Sequence, residues 1–186
     1  MFRKIVYFRD GMKNFLSIFF GRGKSPEELA ADRDQKGRSK PLRKDVQTVT
    51  IQEGLEFDIY WKDTGKVGIG PTVAVYAKQR EVLRFDCFGP DLGHFHIFNR
   101  SDRPKDPADR LFFHEESRAA QIDRTLWELE NNLASYLQLH SDPAIRNMVL
   151  EKDMVTSKIQ TVDSILRSNL RKVNKYLAEN MFEKGS

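Results

Sequence analysis

From Leu55 onward apolar and polar residues alternate. Leu55, Phe57, Ile59 and Trp61 point one way, and Glu56, Asp58, Tyr60 and Lys62 point the other. A period of two predicts a half-buried strand with unlike faces. The rhythm then returns. Val73, Val75 and Ala77 form the inward row of a second strand; Leu83, Phe85 and Cys87 oppose Arg84 and Asp86 in a third; Phe95 and Ile97 oppose His94 and His96 in a fourth. Leu111 to His114 has the length of a short fifth. Between these lie Thr64-Gly65-Lys66, Gly68-Ile69-Gly70-Pro71, Lys78 to Glu81, and Gly89 to Gly93, all segments with turn chemistry. Parallel neighbours need crossovers of about a dozen residues or more, so connections this short predict an antiparallel meander of four to five strands.

The period changes again at Ser117, a candidate N-cap. From Arg118 to about His140 a stripe of Ala119, Ile122, Leu126, Leu129, Leu133 and Leu137 predicts an amphipathic helix. Ser141-Asp142-Pro143 restarts helix, and from Val155 the series Ile159, Val162, Leu166, Leu170, Val173, Leu177 and Met181 repeats at steps of three and four. A helical layer on one face of an antiparallel sheet covers the inward rows, which gives an α+β fold with a long C-terminal helix. That last helix carries more stripe than one small sheet face needs, so a homo-oligomer formed through it is expected. Its spacing is nearer 3.6 than 3.5, which disfavours a long regular coiled coil.

Upstream of the strands the chain is different. Phe2, Ile5, Phe8, Met12, Phe15, Leu16 and Phe19 lie along one helical face, broken up by Arg3, Lys4, Arg9 and Lys13. This is too interrupted for a membrane span. It suits docking of residues 1–24 on a protein partner or on an anionic membrane surface. Gly21-Arg22-Gly23-Lys24-Ser25 has part of a phosphate-loop pattern, but Ile18 stands where the first glycine belongs and Pro26 follows, so it is read as a helix start. Asp32 to Asp45 is almost all charged or small, and reads as a linker. The division that results is a basic arm at 1–46, an α+β core at 47–140 and a helical extension at 141–186. Residues 1–47 hold 12 Lys+Arg against 6 Asp+Glu; the remainder hold 19 against 21. The net charge of +4 is too small to imply nucleic acid as a partner. Cys87 is the only cysteine, so no intrachain disulfide is available, and a cytoplasmic protein is expected, with peripheral membrane attachment as an option for the arm.

If the helices cover the face bearing Phe57, Val75, Phe85 and Phe95, then Asp58, Tyr76, Arg84, Asp86, His94 and His96 share the other one. His-x-His on a strand sets two imidazoles on the same side, about 7 Å apart by the rise per residue, where they can grip a divalent metal ion. Asp86, His114 or Glu115 are the candidate third ligands, and Asp58, Tyr76, Arg84 and His114 are candidate binding residues around the pair. The pattern resembles part of the cupin metal motif, but Asn99, Arg100 and Ser101 stand where that family places a glutamate. A solvated or partner-covered polar face is the preferred reading of these residues, with metal ligation as its alternative. Leu83-Arg84-Phe85-Asp86-Cys87-Phe88, then Gly93-His94-Phe95-His96, then Leu126-Trp127-Glu128-Leu129 resembles a bacterial domain family of unknown function over about residues 50 to 140. The resemblance implies that the strand pair and the following helix form one unit. A non-enzymatic interaction module is the expectation for function, with a metal-binding protein or metal-dependent enzyme as the alternative.

Overall fold

The structure is a computed structural model and describes residues 43–98 and 110–183. The amphipathic segment at 1–24, most of the linker and the proline-containing loop after Asn99 lie outside the described residues. Six strands form one sheet: β1 (Arg43–Gln52), β2 (Leu55–Asp63), β3 (Ile69–Ala77), β4 (Arg80–Asp86), β5 (His94–Ile97) and β6 (Arg110–Phe112). Each pairs antiparallel with its sequence neighbour, in the order β1-β2-β3-β4-β5-β6. The α+β class and the antiparallel meander hold, with one strand more than expected.

The extra strand is β1, which starts inside the stretch read as linker. Its first two charged residues lie against aromatic rings, although Arg43 stays exposed. Lys44 Nζ sits 4.4 Å from the Trp61 ring centre and 4.6 Å from that of Tyr176, and the Arg43 guanidinium lies 4.7 Å over Tyr60. Adjacent residues on opposite faces thus each find an aromatic partner. Further along, Val49 and Ile51 enter the core.

Gly70 and Pro71 also belong to a strand rather than a turn, since β3 runs through them and pairs Pro71 with Trp61 and Gly70 with Lys62. Gly70 is there for space: a Cβ on it would lie 2.1 Å from the Cys87 carbonyl oxygen. The β3–β4 hairpin closes with Lys78 and Gln79 both at positive φ, 48° and 65°, as a two-residue hairpin turn requires.

The helices are α1 (Arg118–Asn131), α2 (Leu133–Gln138), α3 (Pro143–Arg146) and α4 (Lys152–Glu183). Ser117 caps α1, its hydroxyl accepting from the Ala120 N–H at 3.1 Å. The single helix expected to His140 is broken at Asn132, whose side chain donates to Glu128 Oε2 at 2.6 Å. At 32 residues α4 is about 48 Å long. It crosses β1, β2 and β3 and packs along α1. Its stripe of Val155, Val162 and Leu166 joins Phe57, Val73, Val75, Leu83 and Phe85 of the sheet and Ile122, Leu129, Leu133 and Leu137 of α1 and α2 in one core. Burying each such side chain contributes about 1.5–3 kcal/mol. The part of the stripe from Val155 to Leu170 thus packs inside the chain's own compact unit, Pro41–Ser186, while Leu177 is not part of that core. No described helix is long and apolar enough to cross a membrane.

One side chain fixes the turn between β4 and β5. Gln121 on α1 accepts from the Gly89 N–H at 2.9 Å, and its amide donates to the Gly89 and Glu115 carbonyls at 2.9 and 2.7 Å. Gly93 passes so close beneath that a Cβ would lie 2.2 Å from Gln121 Oε1. The hairpin that carries Asp86 and His94 is clamped to the helical layer at its tip.

Candidate metal centre

Register brings the polar residues together. Asp86 is the last residue of β4 and pairs with Thr72 on one side and His94 on the other, while Arg84 pairs with His96. All five point away from the helices, as their alternation with Val73, Leu83, Phe85 and Phe95 dictates. Contrary to the expectation of an uncovered face, this side of the sheet is buried: Asp86 is 1% exposed, His94 3%, Lys62 6% and His96 9%. Aromatic rings enclose it. Phe88 meets His94 edge-on at 5.7 Å, Phe98 stacks on His96 at 5.6 Å, and Phe112 lies 5.9 Å from His94.

Asp86 organises the centre. Its Oδ1 accepts from Thr72 Oγ1 at 2.9 Å and from Lys62 Nζ at 2.8 Å; its Oδ2 accepts from Arg84 Nε at 3.3 Å. Burial alone would raise the Asp86 pKa, but the Lys62 and Arg84 charges hold it well below the usual carboxylate range. Arg84 is in turn anchored by Glu81 at 2.8 Å. A carboxylate has about four lone-pair sites, so one on Oδ2 is left.

That position faces the two histidines. His94 Nε2 lies 3.5 Å and His96 Nε2 3.8 Å from Oδ2. The tautomer of His94 follows from its other nitrogen: Nδ1 is 2.7 Å from the Leu92 carbonyl, which can only accept, so Nδ1 carries the hydrogen. In the neutral ring Nε2 then presents a lone pair to a carboxylate oxygen. Adding a proton there is disfavoured, because burial lowers the pKa of His94, and burial together with the Arg84 charge lowers that of His96 to about 3. Three candidate ligand atoms, one each from Asp86, His94 and His96, therefore converge within 4.8 Å of one another. A tetrahedral ion with bonds of about 2.0–2.1 Å holds its ligands about 3.4 Å apart. Asp86 Oδ2 and His94 Nε2, 3.5 Å apart, already have about that separation, and His96 Nε2 lies 3.8 Å from the same oxygen.

Asp86, His94 and His96 thus meet, with Arg84 bonded to the carboxylate. Tyr76 is on the same face but further along, its hydroxyl accepting from Arg43 at 3.3 Å, and Asp58 accepts from Thr48 at 2.7 Å. His114 follows β6, exposed, and is not in the cluster. Glu115 contributes its carbonyl to Gln121 instead. Cys87 is on the helix side, near Thr125, and burial pushes its thiol up to about 12. Sequence reasoning missed Lys62 and Thr72. The signal for Lys62 was present, since it continues the outward row of Asp58 and Tyr60; Thr72 was hidden by the apparent turn at Gly70-Pro71.

A family model described as "Domain of unknown function (DUF7700)" matches residues 28–166, and the chain belongs to that family. No curated protein and no solved structure matches it.

Proposed function

We propose that this protein is a non-enzymatic metal-binding module that holds one divalent transition-metal ion at Asp86, His94 and His96. The observation that supports this is the convergence of His94 Nε2, His96 Nε2 and a carboxylate that the Lys62 and Arg84 charges keep ionised, with the His94 lone pair turned toward the carboxylate. His94 also donates its Nδ1 hydrogen to a backbone carbonyl, the arrangement that orients a ligating histidine and makes its other nitrogen a better donor. The mixed imidazole and carboxylate set suits zinc, iron or manganese. Binding rather than turnover is favoured because all three ligands are nearly sealed from solvent, with aromatic rings on several sides.

Metal analysis of the full chain, purified without a histidine tag, tests the reading. One equivalent of metal is expected, retained through dialysis and lost in His94→Ala and His96→Ala while both variants keep a cooperative melt. Folded wild-type protein that takes up no zinc, iron or manganese on titration refutes it.

A further inference from the structure

We infer that the ion at Asp86, His94 and His96 carries a small oxyanion, of formate or nitrate size, as its next ligand, and that Lys62 and Arg84 hold that anion. This rests on the metal-binding reading above. Charge balance is the first argument. With the histidines neutral, Lys62 and Arg84 are matched by Asp86 and Glu81, so the network is neutral before a divalent ion enters and carries an excess of two positive charges afterwards. The side chains of Lys62, Arg84 and Asp86 are 8%, 18% and 2% exposed, so water screens that excess poorly. An anion on the metal halves it.

The second argument is geometric. The Lys62 ammonium has three hydrogens, and among the described residues its one hydrogen-bond partner is Asp86 Oδ1. Arg84 spends Nε on Asp86 and Nη1 on Glu81. Among the described residues, the Nη2 hydrogens of Arg84 and two of Lys62 have no hydrogen-bond partner and are available to a ligand. Each cation also lies on a ring that touches one of the histidines. Lys62 Nζ is 5.2 Å from the Phe88 ring centre, and Phe88 packs on His94; the Arg84 guanidinium is 5.3 Å over Phe98, which stacks on His96. The two donors therefore bracket the imidazole pair. Asp86, His94 and Lys62 are nearly fully buried, which favours an anion of few heavy atoms over a bulky one.

The full chain loaded with cobalt(II) tests the inference, because cobalt absorption in the visible range reports changes among its ligands. Adding sodium formate or nitrate is expected to change the spectrum saturably, with inorganic phosphate binding more weakly. Lys62→Met, saturated with cobalt so that any weaker metal binding is taken up, is expected to bind formate about tenfold more weakly, the loss of one charged hydrogen bond. Arg84→Lys serves the same purpose if Lys62→Met does not fold. A wild-type spectrum that ignores all three anions while cobalt stays bound one to one overturns the inference and leaves the metal reading standing. Failure of cobalt, zinc, iron and manganese alike to bind removes both.

Discussion

Asp86→Asn keeps the shape of the side chain and removes its charge, so it isolates the electrostatic role of this residue. Lys62, whose ammonium lies 2.8 Å from Oδ1, then loses the carboxylate that offsets its desolvation, and Arg84 loses one of its two. Removing one member of a buried ion pair costs about 3–5 kcal/mol, because the partner is left buried and uncompensated. The second mutation of the cycle is Lys62→Met, which fills the same volume without a charge. On its own it leaves Asp86 bonded to Thr72 and Arg84, and the expected cost is smaller, about 1–3 kcal/mol. Combined with Asp86→Asn it removes the orphaned ammonium. The double variant is therefore expected to be more stable than the sum of the single changes implies, by about 1–3 kcal/mol. Urea unfolding of metal-free protein, followed by tryptophan fluorescence, measures all four corners of the cycle, and an unchanged m-value licenses the comparison. Additivity within about 0.5 kcal/mol would show that the two groups do not interact, and the description of the centre would fail with it.

Burial lowers the pKa of His94, His96 and His140 below the ordinary value, so each binds its proton more readily in the unfolded chain. Stability is then fully present above about pH 6.5 and falls as the pH drops toward the folded-state values, by up to about 1.4 kcal/mol per pH unit for each histidine. Unfolding midpoints of metal-free protein between pH 7 and 5 should fall accordingly, and a flat profile there contradicts the burial argument. Gly70→Ala places a methyl group 2.1 Å from the Cys87 carbonyl and should cost about 3 kcal/mol or more, whereas Gly65→Ala meets no atom within 4 Å and pays for its positive φ alone, about 1 kcal/mol. Thermal melts that rank the two the other way would refute the close approach of β3 to the end of β4. Asn169 is fully buried on α4 with neither amide atom hydrogen-bonded. Asn169→Leu should therefore leave stability unchanged or raise it by about 1–2 kcal/mol; a loss of more than about 1 kcal/mol on chemical denaturation would mean the amide has a partner.

The alternation from Leu55 to Ile97 was enough to place Asp86, His94 and His96 on one face, because side-chain direction in a strand follows from position alone. Distance between strands is less accessible. It took the register Asp86↔His94 to show that the carboxylate and the imidazoles meet, and that register depends on the Gly89–Gly93 turn and on the Gln121 clamp from a helix some thirty residues later. Burial of the polar face was also illegible, since charged and histidine side chains read as solvated until their partners are known. The start of β1 failed for the same reason: Arg43 and Lys44 resemble the charged stretch before them, and only the Tyr60, Trp61 and Tyr176 rings show why they are ordered. The break at Asn132 lies inside an unbroken apolar stripe, where periodicity carries no information about hydrogen bonds to Glu128.

The two faces of the sheet answer different demands. On the helical side, Phe57, Val75 and Phe85 meet Ile122, Leu129 and Leu166 in a core sufficient in kind for a domain of this size. On the other side the chain buries a lysine, a carboxylate and two histidines, and hydrophobic residues of similar volume would often stabilise the same sheet equally well or better. Stability alone therefore gives no reason for this composition. The proposed cation would. It needs a carboxylate kept ionised by neighbours, imidazoles kept neutral by burial, and one nitrogen of His94 turned toward it by a hydrogen bond at the other. Lys62, Arg84 and Leu92 supply those conditions without occupying the lone pairs that the ion would use.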